Sequence, residues 1–264
     1  MRFSLNGEWQ ISPLTDLMIP QADITFPAPL SEVLPENISE EQIAAQEWHL
    51  MHDIEVDERL LAFKGIDLVL EGIDYYAEVR LNGVAIFDCD QTQNIYRKDI
   101  RPLLQLGRNR FEILFLEPDE DLLLEEDRKQ ICALGSVHRY DPKIGIWKEP
   151  YLELMQHLRM THIATEQVWH HGGGCEFIVD VYFELLTPGL VSAAIKFNGL
   201  TYTLPVDMRQ DKIRAIFQIE APRYFDPSNK DPKDLYTLLV DLDGQSYHCD
   251  IGLSEDLCVT HFPL

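Results

Sequence analysis

The sequence predicts an all-β protein built as two antiparallel sandwiches in tandem, and three observations carry that reading. In residues 64–84, Ile66, Leu68 and Leu70 share one parity, Ala77, Val79 and Leu81 share the other after Glu71-Gly72, and the run closes on Asn82-Gly83. Alternation with period two that ends in Asn-Gly marks a strand, a corner and a hairpin. From Met160 a second set of short alternating segments follows, at 177–185, 191–199, 212–219 and 235–242, with turn signals at Thr187-Pro188-Gly189, Asn198-Gly199 and Asp243-Gly244. Such spacing without intervening helices predicts an immunoglobulin-like sandwich of about 100 residues. The third observation is length: 264 residues exceed one ordinary sandwich and suit two domains of about 100 to 150 residues. The expected domains are 1–157 and 158–264.

Composition narrows the function classes. Hydrophobic residues make up 45% and charged residues 25% of the chain, an ordinary globular balance that argues against disorder. The formal net charge is −23, from 45 Asp and Glu against 22 Lys and Arg. A field of that sign repels phosphate backbones, which excludes nucleic acid as a partner. No apolar run approaches the roughly 20 residues needed to span a bilayer, so no membrane partner is expected. The opening residues show neither a basic flank with an apolar core nor a small-residue cleavage site. The chain is therefore expected to be soluble and cytoplasmic. Cys89, Cys132, Cys175, Cys249 and Cys258 are odd in number, widely spaced and without a Cys-x-x-Cys pair, which reads as free thiols in a reducing compartment.

Along the chain, residues 4–12 alternate around Trp9 and read as one short first strand. The five prolines of residues 13–47 make this stretch a loop, with one helical turn near residues 40–45. Trp48 opens the sandwich proper. Residues 107–109 read as a turn and 111–115 as the next core strand. The acidic run 117–127, opened by Pro118 and followed by Arg128-Lys129, has the charge order of a surface helix. Trp147 is expected to cap the core and residues 151–154 to form the last strand of the first domain.

Candidate chemistry within these residues is sparse. His49 and His52 would share a helix face, but on a strand they point to opposite faces, which argues against a metal pair. The acidic run lacks the alternating spacing and glycine of a calcium loop. His170-His171 and Cys175 have no second ligand pair at zinc spacing. The paired carboxylates Glu40-Glu41, Asp119-Glu120-Asp121 and Glu125-Glu126 stand in polar, wet segments and read as solvated faces rather than an acid and nucleophile. No Gly-x-Ser-x-Gly elbow occurs, and Gly172-Gly173-Gly174-Cys175 does not match a phosphate loop. No catalytic residue, metal or cofactor is expected.

Several stretches together resemble the opening domains of glycoside hydrolase family 2, the β-mannosidases, β-galactosidases and β-glucuronidases. They are the Leu5-x-Gly7-x-Trp9 start, Glu71-Gly72-Ile73-Asp74 followed by Ala77 to Gly83, the Asp99-Ile100, Leu103-Leu104 and Gly107-x-Asn109 series, and Gly145-Ile146-Trp147-Lys148 before a strand. In the second half, Pro222 to Pro227, Leu235-Tyr236 and Ile251-Gly252 follow the order of that family's second domain, with Phe225 in place of its Trp and Leu253-Ser254 in place of its Phe-Arg. The resemblance, strongest to β-mannosidases, implies a galactose-binding-like jelly roll followed by an immunoglobulin-like sandwich. It also implies a glycoside substrate and a catalytic TIM barrel of the same parent chain as partner. Hydrolysis with retention needs two carboxyl groups about 5 Å apart, which the family places on a barrel of about 250 residues. Only ten residues follow Ser254, so this chain alone is expected to be inactive, either as the N-terminal region of a family 2 glycosidase or, alternatively, as a stand-alone carbohydrate-binding or scaffold protein. The resemblance further implies a sugar-facing loop just before Gly145-Ile146-Trp147. The family's Trp-Asp-Trp motif is absent there, and the position of the loop makes His138, Arg139, Tyr140 and Asp141 the candidate carbohydrate contacts. A face that docks a barrel should be apolar, and some self-association, as a homo-oligomer, is expected of it.

Overall fold

The computed structural model describes all residues except 40, 41, 44, 75, 91–94, 117–143, 227–231, 256–258 and 264. The described chain is almost entirely antiparallel sheet. It divides into two compact units, Arg2–Glu153 and, with Met1, Leu154–Leu264. The surface helix read at 117–127 lies outside the described residues.

In chain order the strands of the first unit are β1 (Arg2–Ser4), β2 (Trp9–Pro13), β3 (Ala22–Ile24), β4 (Ala28–Pro29), β5 (Trp48–Val56), β6 (Gly65–Glu71), β7 (Ile73–Asp74), β8 (Ala77–Leu81), β9 (Val84–Cys89), β10 (Ile95–Asp99), β11 (Gly107–Phe115), β12 (Gly145–Ile146) and β13 (Tyr151–Met155). They form a sheet in the order β1-β13-β6-β10, a second in the order β3-β2-β5-β11-β8-β9, and a three-stranded patch, β4-β12-β7. The second sheet buries Trp48, Leu50, Ile54 and Val56 of β5 and Phe111, Ile113 and Phe115 of β11, as period-two alternation demands.

The central stretch folds as its pattern predicts. β6 belongs to one sheet and β8 to the other, and the crossing is made at Gly72, whose φ of 63° is in the left-handed region that glycine tolerates. Asn82 and Gly83, at φ 52° and 78°, close the β8–β9 hairpin with the two positive φ angles of a type I′ turn.

Several details differ from the sequence reading. Residues 13–47, read as loop, contribute β3 and β4, which pair with β2 and β12. Residues 4–12 form two strands in different sheets, because the chain turns between them: β1 pairs β13, β2 pairs β5, and Gly7 between them has φ 141°. β6 is buried on both faces rather than one. Its Asp67 is 2% exposed, and burying a carboxylate is costly unless it is paired. Arg97 supplies the pairing, with Nε 2.7 Å from Asp67 and the guanidinium 2.8 Å from Glu153. Residues 107–109 begin β11 instead of forming a turn. The fully buried Asn109 accounts for this: its Nδ2 donates to Gln105 O at 2.6 Å and Gly107 O at 3.0 Å, and its Oδ1 accepts from Gln105 N at 2.9 Å and Asn82 Nδ2 at 3.0 Å. One amide thus ties the start of β11 to the β8–β9 turn.

The second unit holds β14 (Leu158–Trp169), β15 (Cys175–Leu185), β16 (Ser192–Phe197), β17 (Leu200–Pro205), β18 (Lys212–Ile219), β19 (Leu235–Leu242), β20 (Gln245–Gly252) and β21 (Val259–Pro263). They form two four-stranded sheets, β18-β15-β14-β21 and β17-β16-β19-β20, the immunoglobulin-like sandwich the pattern predicts. Phe177, Phe197 and Phe217 fill its centre, with ring centroids 4.1 and 5.5 Å apart along that series. Gln245, buried, joins the sheets by accepting from Met160 N at 2.9 Å and donating to Leu158 O at 2.8 Å. On the outer face of β15, burial acts to raise the pKa of Asp180. Hydrogen bonds from Arg214, at 2.7 and 2.6 Å, and from Lys212, at 3.1 Å, more than offset burial and hold the carboxyl below its ordinary value.

Replacing Asn109 by Leu strands the groups that its amide satisfies. Urea unfolding should show a loss on the order of 2 to 4 kcal/mol; an unchanged midpoint would mean that water replaces the amide. For Asp180 the folded value lies below the unfolded one, so its stabilisation is present above about pH 4 and fades as pH falls through the folded value. Asp180→Asn should therefore flatten the acid limb of the stability profile of the second unit, read by thermal melting between neutral and strongly acidic pH.

Candidate functional site

The patch β4-β12-β7 gathers three stretches that are distant in sequence. Gly145 pairs with Pro29 on one side and Asp74 on the other, and Ile146 with Ala28 and Ile73. A Cβ on Gly145 would stand 2.7 Å from both Ala28 O and Pro29 Cα, so only glycine permits this approach. Backbone bonds fasten the patch: Leu30 N donates to Ile144 O at 2.8 Å and Trp147 N to Gly72 O at 2.8 Å.

This arrangement presents a cluster of polar and aromatic side chains beside the corner. The Trp147 indole Nε1 donates to Asp74 Oδ2. One residue on, Lys148 Nζ reaches Glu71 Oε2 at 2.6 Å, and the Tyr151 hydroxyl donates to Glu71 Oε1 at 3.2 Å. The Arg2 guanidinium lies over the Tyr151 ring, 4.2 Å from its centroid. Burial, together with the negative charge of Glu71, pushes the Tyr151 phenol above its ordinary value, so it stays a protonated donor. Trp147 does not cap the core. It is half-buried at the rim, because its N–H needs the polar partner that Asp74 offers, whereas Trp9 and Trp48 are 1% and 0% exposed. A partly exposed indole face flanked by carboxylate acceptors and cationic donors can hold a polyol by ring contact and hydrogen bonds.

The sequence-predicted contacts His138, Arg139, Tyr140 and Asp141 lie outside the described residues. Described chain stops at Leu116, one residue beyond β11, and resumes at Ile144, one residue before β12. Trp147, Asp74, Glu71, Lys148 and Tyr151 were not singled out as a site by sequence reasoning. Their signal lies in Gly72 and Gly145, the two glycines that let these stretches meet.

The acidic pairs at 40–41, 119–121 and 125–126 lie outside the described residues, and the remaining histidine and cysteine candidates stand apart from one another. His49 and His52 do point apart along β5: His49 Nε2 is 3.0 Å from Glu112 Oε1, while His52 Nδ1 is 3.1 Å from Glu8 O and its ring stacks on Trp9 at 4.9 Å. His170 lies 3.6 Å from Glu176, and Cys175 is buried. Among the described residues no group of three or more His, Cys, Asp or Glu could hold a metal ion, and no helix is long and apolar enough to cross a membrane.

The first unit is thus a jelly roll closed by a short sheet patch, with a polar and aromatic rim. Residues 28–153 match the family described as glycosyl hydrolase 2 galactose-binding domain-like. This stretch belongs to that family: it is a galactose-binding-like domain of the glycoside hydrolase family 2 type. Among curated protein sequences none matches the chain. Similar solved structures include a β-D-mannosidase from Dictyoglomus thermophilum, with TM-score 0.67 and 19% identity over 95% of this chain and 36% of that one. An FMN-binding β-glucuronidase from Facaelibacterium prausnitzii L2-6 aligns at TM-score 0.66 and 15% identity, over 96% of this chain and 39% of that one. A putative β-galactosidase from Bacteroides fragilis aligns at TM-score 0.61 and 14% identity, over 96% and 41%. At these identities the likeness is one of fold, and this chain spans well under half the length of each.

If the rim takes sugar, Trp147 is the reporter. Millimolar mannose, galactose or glucuronate should change the fluorescence of the wild-type chain and leave Trp147→Phe unchanged; an equal response from both would place binding elsewhere.

Proposed function

We propose that this chain is the non-catalytic N-terminal region of a family 2 glycoside hydrolase, most like a β-mannosidase. Its first sandwich completes the substrate site of a TIM barrel belonging to the same parent protein. The observation that carries the reading is coverage: nearly the whole of this chain aligns with little more than a third of the mannosidase. Two sandwiches account for the described strands of the 264 residues, and the hydrolytic carboxyl pair, about 5 Å apart in a retaining enzyme, belongs in this reading to the barrel. The substrate class is a β-linked glycoside. His138, Arg139, Tyr140 and Asp141 are the proposed sugar contacts, and the Asp74–Trp147 pair is a further candidate contact. Exposed Leu14, Leu17 and Met18 in the β2–β3 connection suit a surface that further chain covers.

The reading includes a cytoplasmic location. It is supported by the unpaired thiols of Cys89, Cys175 and Cys249, which burial makes poor nucleophiles: it pushes Cys89 and Cys175 upward and Cys249 to about 11.

Assay of the 264-residue chain and of the protein encoded by its complete gene, on aryl β-mannoside, β-galactoside and β-glucuronide, tests the proposal. The short chain should be silent and the full product active on at least one of them. Turnover by the short chain, or a full product that binds sugar without cleaving any, would overturn it.

A further inference from the structure

β17 forms one edge of its four-stranded sheet, and no described strand pairs with its outer side. Natural edges are usually guarded by charged residues, proline, bulges or short length, and β17 carries one such guard, Pro205, at its end. The ladder from Ser192↔Pro205 to Phe197↔Leu200 runs without a bulge. The strand reads Leu-Thr-Tyr-Thr-Leu-Pro and carries no charge, while Leu200 and Tyr202 are 47% and 38% exposed. In a chain of net charge −23, an uncharged edge is where two copies can meet with least repulsion.

The register fixes which groups the edge offers. Asn198 and Gly199 have φ 48° and 77°, the two-residue turn that leaves the flanking pair Phe197–Leu200 hydrogen-bonded. Bonding alternates along an antiparallel ladder, so Ile195–Tyr202 and Ala193–Leu204 are bonded pairs, and Thr201 and Thr203 direct their N–H and C=O groups outward. Pro205 shares their parity but has no N–H to offer. The outward donors are therefore placed symmetrically about Tyr202, whose ring is held against Phe217 with centroids 4.8 Å apart.

From this we infer that two copies of the chain pair antiparallel through β17 about a twofold axis at Tyr202. Thr201 of each copy bonds Thr203 of the other, and the two sheets become one. The contact is self-complementary, as a twofold interface requires. It is independent of any glycosidase activity.

Sedimentation equilibrium of the 264-residue chain across micromolar to sub-millimolar concentration tests the inference. A monomer–dimer equilibrium should appear and strengthen with added salt, because screening weakens the repulsion between two acidic copies. Thr203→Pro removes an outward donor that the β16 ladder does not use and should weaken the dimer by about tenfold or more with little change in melting temperature. Thr201→Lys, which charges the same edge, should do likewise and decides the matter if the proline variant does not fold. A monomer at all concentrations in high salt, a dimer that salt weakens, or a dimer that Thr201→Lys leaves intact would overturn it.

Discussion

The first unit depends on one corner. At Gly72 the chain leaves the sheet that contains β6 and enters β7 of the three-stranded patch, ahead of β8 in the other sheet, and the residue there must accept a positive φ. The peptide carbonyl at that corner receives the Trp147 N–H, which fastens the start of the 147–151 stretch to the same point. The close approach of Gly145 to β4 then locks the third stretch in place. Two glycines and a handful of backbone bonds thereby decide where the side chains of Glu71, Asp74, Trp147, Lys148 and Tyr151 stand.

The consequence for function is rigidity. Each carboxylate of the cluster accepts a hydrogen bond from a side chain on the β12–β13 stretch: Asp74 from Trp147, and Glu71 from Lys148 and Tyr151. Side chains locked in this way orient a bound molecule well. This division of labour, with orientation on the sandwich and chemistry on a barrel, is what the proposed parent enzyme requires.

Local features were legible in the sequence, and long-range ones were not. The Asn82-Gly83 hairpin, the crossing at Gly72 and the opposite facing of His49 and His52 each depend on residues only a few positions apart. The burial of both faces of β6 was hidden, because Asp67 looks like a solvent residue until Arg97, 30 positions on, pairs with it. The rim was hidden for the same reason, with Trp147 and Asp74 separated by 73 positions. β17 escaped notice although Leu200, Tyr202 and Leu204 alternate with Thr201 and Thr203, because that alternation does not tell an edge strand from an inner one. The turn expected at 107–109 failed on one buried amide, whose partners lie on two different connections.

Hydrogen–deuterium exchange of the complete parent protein, with and without a bound sugar-shaped glycosidase inhibitor, would test the central claim most directly. If the first sandwich completes the substrate site, inhibitor should slow exchange at residues 72–74 and 144–151 while leaving β16 and β18 as they were. Protection confined to the barrel, with those two stretches unchanged, would contradict the account and reduce the sandwich to a support.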